Sequence, residues 1–268
     1  MPLITKAQID DFIEKIPPSP IVLKQTMMLL NAGELTKAAK VAIEDKALNS
    51  YLKNIVNKPI FGFRNEVSDI SQIFGILGLS GSQQAVYNYM VSLLSPAKWS
   101  LFELNSHTFY ELQAHLSSLW KKILTHLNIE DKEIESAIAL LPASIIVADA
   151  LFGEKINDVH LLRSANDIDY NTILKRLCAM DLFDICEEIG KKWDMEQQTY
   201  EIVQAASGVK SYEDEQTMLL GKWMHLLLFF TLSKPEFIAA QLNDFIEFQV
   251  DFVEEIYGDF MNIAEVEQ

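Results

Sequence analysis

The stretch IPPSPIVLKQTMMLLNAGELTKAAKVAIEDKALNSYLKNIVNKPIFGF, residues 16–63, is punctuated throughout as a set of short helices. Pro17 and Pro18 stop an incoming helix that begins at the capping-box pair Thr5 and Gln8 and carries Ile9, Phe12, Ile13 and Ile16 on one face. Ser19 supplies an N-cap oxygen, Pro20 suits a first helical position, and Gly33 ends the run that follows. Leu48, Tyr51, Leu52, Ile55 and Val56 then recur at helical spacing until Pro59 and Gly62 close the stripe. These signals belong to an all-α chain.

The same pattern extends outward. Ser68 is expected to cap a short helix bearing Ile70, Ile73, Phe74 and Leu77, closed by Gly78, with another helix over about 82–94. Ser95-Pro96 marks a change of texture, and a subdomain boundary is expected between about 96 and 106. Longer helices are predicted through HTFYELQAHLSSLWKKILTHL and KEIESAIALLPASIIVADALF, the second kinked at Pro142. Three shorter ones follow over 170–180, 182–193 and 196–206. Two long helices are predicted over 212–233 and 235–263. No stretch sustains period-two alternation, so no sheet is expected. The resulting division is a helical subdomain over 1–100, a second over 101–210, and an acidic helical extension over 211–268.

Composition limits the function. The 268 residues are 49% hydrophobic, enough for a core, and carry a net charge of −16. Residues 1–100 hold 10 Lys/Arg against 8 Asp/Glu, whereas residues 101–268 hold 12 against 30. Nucleic acid and anionic membranes both call for a basic surface, so neither is an expected partner and a protein is. Cys178 and Cys186 form no C-x-x-C pair and read as buried thiols of a reducing compartment. The N-terminus lacks the pattern of a signal peptide, and the apolar run Met224–Leu232 is too short to span a bilayer. A cytoplasmic location is expected.

Residues 16–63, with Pro17, Pro18, Asp45, Ala47, Leu48, Leu52, Asn57, Phe61 and Gly62, resemble the opening of an HDOD domain. The segment VSDISQIFGILGLSGSQQAV, with Ile70, Ile73, Leu77 and Gly78, is similar to that family's next hallmark, and the likeness extends weakly to about Gly208. It leaves out the last sixty or so residues. The resemblance implies a two-part helical bundle related to HD-type metal phosphohydrolases, and a role in bacterial signalling, often alongside motility, chemotaxis or second-messenger control. Taken by themselves, Leu48, Leu52, Ile55, Ile70, Ile73 and Leu77 are core positions.

An HD hydrolase needs a His-Asp pair and further ligands for its metal. His107, His115, His126, His160 and His225 are followed by Thr, Leu, Leu, Leu and Leu, so no such pair exists. The resemblance sets Pro142-Ala143 at the place of the pair and Leu112 near an upstream histidine. The chain is therefore expected to be no enzyme and to use no metal or cofactor. A pocket lined by Leu112, Pro142 and Ala143 would serve the alternative role, a small-molecule or nucleotide sensor. His107, Glu111 and His115 stack along one helix face, but a straight helix cannot wrap further ligands round one ion, so a polar surface is the simpler reading. Gly221-Lys222-Trp223 lacks the loop and hydroxyl of a phosphate-binding motif, and Gly78-Leu79-Ser80-Gly81 lacks the spacing and strand of a nucleophile elbow.

From Pro235 to Gln268 there are nine acidic residues and no Lys or Arg. On a single long helix, Ile238, Leu242, Phe245, Phe252, Ile256, Phe260 and Ile263 would form an apolar stripe. Asp244, Glu247, Asp251 and Glu254 would form a second, acidic face. That face either solvates the outside or steers a basic protein partner.

Overall fold

The computed structural model describes residues 4–264 apart from 16–20, 64, 95, 97, 167 and 194. The expected stop at Pro17-Pro18, the cap at Ser19-Pro20 and Ser95 lie outside the described residues. All regular structure among those residues is helical. The chain forms two compact units, one of Lys15–Leu94 and one of Met1–Glu14 with Ser95–Gln268. This grouping departs from the expected one at both ends. The N-terminal helix α1 (Lys6–Lys15) goes with the larger unit, where the Ile4 amide donates to the Leu177 carbonyl at 2.8 Å. The segment beyond 210 is likewise built into that unit.

In the smaller unit, α2 (Ile21–Asn31), α3 (Leu35–Ala42), α4 (Lys46–Val56) and α5 (Ile70–Leu94) pack on one another. Asp45 caps α4 by accepting from the Ala47 and Leu48 amides at 2.9 and 3.0 Å. The cap of α5 is Asp69, which accepts from the Gln72 amide at 2.8 Å, and not the neighbouring Ser68. Gly78, with φ 68 and ψ −176, breaks α5 where the sequence placed a helix end. Of the expected core positions Leu48, Leu52, Ile70 and Ile73 are buried, whereas Ile55 and Leu77 are half-buried.

The larger unit continues with α6 (Ser106–His126), α7 (Lys132–Ser136), α8 (Leu140–Glu154), α9 (Ile156–Asn166), α10 (Tyr170–Cys178), α11 (Leu182–Lys192), α12 (Gln197–Ala205) and α13 (Glu215–Leu232). Helix α8 packs on α11, α11 on α12, α12 on α13, and α13 on α6. At the α12–α13 crossing a Cβ on Gly221 would meet the Ala205 Cβ at 2.5 Å, so the close approach requires glycine there. Pro142 lies in the first turn of α8, where a missing N–H is tolerated, and the expected kink is replaced by a 3-10 turn at residues 137–139 between α7 and α8. The span Glu133–Glu154 is long and apolar enough to cross a membrane, but 89% of its most apolar window is buried inside the protein, as befits a core helix.

The expected long helix over 235–263 is not formed. The segment breaks into α14 (Pro235–Ala239), a 3-10 turn at Leu242–Phe245, α15 (Val250–Val253) and α16 (Tyr257–Ala264). Gln241 adopts a left-handed backbone with φ 63, and Ile246 is extended. Tertiary bonds to this segment outweigh helix propensity. The Tyr170 hydroxyl donates to Gln241 at 2.6 Å, Asn171 donates to the Phe245 carbonyl at 2.6 Å, and Arg163 pairs with Asp244. Phe245 joins an aromatic cluster with Phe102 and Tyr170.

His225 ties the same segment to α13. Its Nδ1 lies 2.8 Å from the Ala206 carbonyl and so carries the proton, while Nε2 accepts from the Gln249 amide at 3.2 Å. Burial pushes its pKa down, against the opposing pull of the Ala206 carbonyl. A protonated ring would turn Nε2 into a second donor facing the Gln249 N–H. With the folded pKa below the unfolded value of about 6.5, stability is present above that pH and is lost as pH falls through the folded value. Melting temperature is therefore expected to fall as pH drops below about 6.5, and the slope there to be shallower in His225→Gln.

Candidate functional site

Helix α6 carries His107, Glu111 and His115, the side chains weighed above as metal ligands and read as a polar surface. The Asn105 side chain accepts from the His107 and Thr108 amides at 2.9 and 3.0 Å and starts the helix. His107 pairs with Glu111 at 3.2 Å in an exposed position. His115 is engaged elsewhere, 3.0 Å from the Lys234 Nζ and edge-on to Phe237. His126 packs against Trp223. Among the described residues no three His, Cys, Asp or Glu side chains gather as a metal site would require.

Leu112, on α6, and Pro142 and Ala143, on α8, are all buried, and their two helices touch. They are core side chains. Beside them Ser144 accepts from the Cys186 thiol at 3.2 Å. Burial pushes Cys186 up to about 12 and also raises Cys178, so neither thiol is a nucleophile near neutral pH.

The carboxylate of this region is Asp149, which the sequence did not single out. It is 2% exposed and points from α8 at the loop before α6. Its two oxygens accept from the amides of Ser100, Leu101 and Phe102 at 2.7, 2.9 and 3.2 Å. All three bonds are charge-assisted and internal, which makes Asp149 a structural anchor. An acid amid the apolar run SIIVAD was the available signal.

A polar cleft of about 500 Å³ opens elsewhere in the larger unit. Its walls come from 169–183, 207–209 and the irregular segment 243–249, and none of Leu112, Pro142 or Ala143 lines it. The walls are held firmly. Asp169 caps α10 through the Thr172 amide and hydroxyl, Asn171 bridges the Leu182 amide and the Phe245 carbonyl, and Lys175 meets Asp181 at 3.0 Å. The Asp181 bond raises the Lys175 pKa. Four carboxylates against one lysine give the lining a negative balance, suited to a small polar or cationic group.

The four residues expected to share an acidic face are separated. Asp244 is half-buried in its pair with Arg163, and Glu247 lies exposed on the extended segment against the cleft. Asp251 and Glu254 are exposed on and just after α15.

The family profile of the HDOD domain matches residues 16–208. The chain belongs to the HDOD domain family. No curated protein sequence matches this HDOD chain. Among solved structures, an HDOD domain protein of unknown function from Geobacter sulfurreducens superposes with a TM-score of 0.62 at 13% identity, over 93% of this chain and 91% of its own. A Shewanella amazonensis SB2B protein, provisionally described as a phosphohydrolase, superposes with a TM-score of 0.60 at 15% identity, over 96% and 97%. The fold is therefore that of HDOD proteins across nearly the whole length, including the segment beyond residue 208.

The anchoring role of Asp149 has a measurable cost. Asp149→Ala leaves three amides without their acceptor and is expected to lower unfolding stability by about 3 kcal/mol in urea denaturation.

Proposed function

We propose that this HDOD protein is a non-catalytic signalling module that acts by binding a protein partner. The observation that carries the reading is the burial of Pro142 and Ala143 in α8, at the place where the resemblance to HD hydrolases sets the His-Asp pair. A metal-activated water needs polar ligands and access, and these positions offer an apolar interior. The net charge of −16 favours a protein over nucleic acid or an anionic membrane as partner. Motility, chemotaxis and second-messenger control are the settings that the family suggests.

A second reading, a small-molecule sensor, draws support from the cleft beside Asp169 and Glu247. Its volume of about 500 Å³ falls within the range of ligand sites, roughly 300–1,000 Å³. The sensor would then use this cleft in place of the region round Leu112.

The purified chain, given Mn²⁺ or Mg²⁺, is expected to leave phosphate monoesters and cyclic dinucleotides intact by chromatography. Turnover abolished by a chelator would overturn the non-catalytic reading. Affinity purification from native cells with mass spectrometry is expected to retain a protein that rebinds the purified chain at fixed stoichiometry. In thermal-shift measurements a nucleotide or small cation that raises the melting temperature would favour the sensor.

A further inference from the structure

Between Asn57 and Val67 the smaller unit carries a loop closed at its neck and apolar at its tip. One side chain makes the closure. Asn57 donates to the carbonyls of Val67 and Lys53, both at 2.9 Å, and accepts from the Val67 amide at 2.8 Å. Val67 is buried, so the neck is anchored in the unit. The tip turns outward through a 3-10 turn at Pro59–Phe61 and through Gly62, whose φ of 66 suits a residue without Cβ. Ile60 is 88% exposed, Phe61 36% and Phe63 45%, and the two rings stack with planes 8° apart. Three large apolar side chains held in water by a specific clamp serve no core, and such patches mark binding surfaces.

Charge identifies what fits them. Lys58 stands at the start of the loop and Lys53 about one turn before it on α4, and residues 15–94 hold eight Lys/Arg against five Asp/Glu. The remainder of the chain holds fourteen against thirty-three. Within that remainder one strip combines exposed apolar groups with acids: Val250, Asp251, Glu254 and Tyr257 recur at helical spacing, and all four are exposed. The backbone there stays close to helical, with the Glu254 amide on the Val250 carbonyl and the Phe260 amide on the Ile256 carbonyl, both at 2.9 Å. Neither Lys nor Arg occurs after residue 234, and Lys222, the cation that reaches this strip, pairs with Glu255 at 3.1 Å.

We propose that the loop Asn57–Val67 docks on the strip Val250–Tyr257 of a second copy of this chain, with Ile60, Phe61 and Phe63 against Val250 and Tyr257 and the lysines facing Asp251 and Glu254. This inference rests on the interaction-module reading and names a partner for it. The two surfaces differ, so the contact is head-to-tail and a dimer keeps one free loop and one free strip.

The test is sedimentation velocity of the full chain across protein concentration and ionic strength. Association is expected at about 50 mM salt and is expected to weaken as salt rises to about 500 mM. The double variant F61S/F63S and the double variant D251N/E254Q should each remain folded by circular dichroism and lose association by about tenfold or more. An equimolar mixture of the two retains one intact loop and one intact strip, and should form a dimer that grows no further. A chain that stays monomeric at low salt, association that neither variant weakens, or a mixture that forms no dimer would each overturn the proposal. A monomeric chain that still captures another protein from native cells would overturn self-docking alone and leave the module reading standing.

Discussion

Asp149 places a charge in the middle of a helix otherwise committed to the apolar interior, and much of the larger unit follows from how that charge is satisfied. A carboxylate buried on α8 is tolerable only if donors surround it, and the amides of residues 100–102 supply them. Fixing that loop sets Phe102 in edge contact with Phe152, Tyr170 and Phe245. The aromatic cluster thus joins α8, α10 and the segment near residue 245, elements far apart in sequence. With Phe245 drawn into the cluster, residues 240–249 give up helical geometry, and the cleft beside them opens as a result.

That chain of dependence explains what could be seen in the sequence. Helices bounded by local signals were legible: Gly33 after α2 and the break at Gly78 act within a turn of the residue that carries them. The apolar stripes gave the core of the smaller unit directly. The last thirty residues were not legible, because their helical spacing of Ile238, Leu242, Phe245 and Phe252 is real but is outweighed by bonds from Tyr170, Asn171 and Arg163. No local signal announces partners some seventy or eighty residues away. Helix α9 was missed for the opposite reason, since it resumes almost at once after α8 with only Lys155 between them.

The candidate sites divide along the same line. Absence of a His-Asp pair is a property of adjacent residues and could be read directly. Burial of Leu112, Pro142 and Ala143 followed from their apolar character, but whether a pocket remained among them depended on packing. The acidic face dissolved because it presumed one helix, leaving Asp251 and Glu254 outside while Asp244 turned inward to Arg163.

The amide clamp at Asn57 has a consequence for how this surface changes over time. Closure of the loop is carried by one side chain and the backbone of Val67, while the tip contributes nothing to the interior. Substitutions at Ile60, Phe61 and Phe63, whose side chains face water, are thereby largely uncoupled from folding, whereas the left-handed backbone at Gly62 still constrains that position. One scaffold can acquire new specificities by rewriting the few exposed side chains at its tip, as antibody loops do on a fixed sandwich.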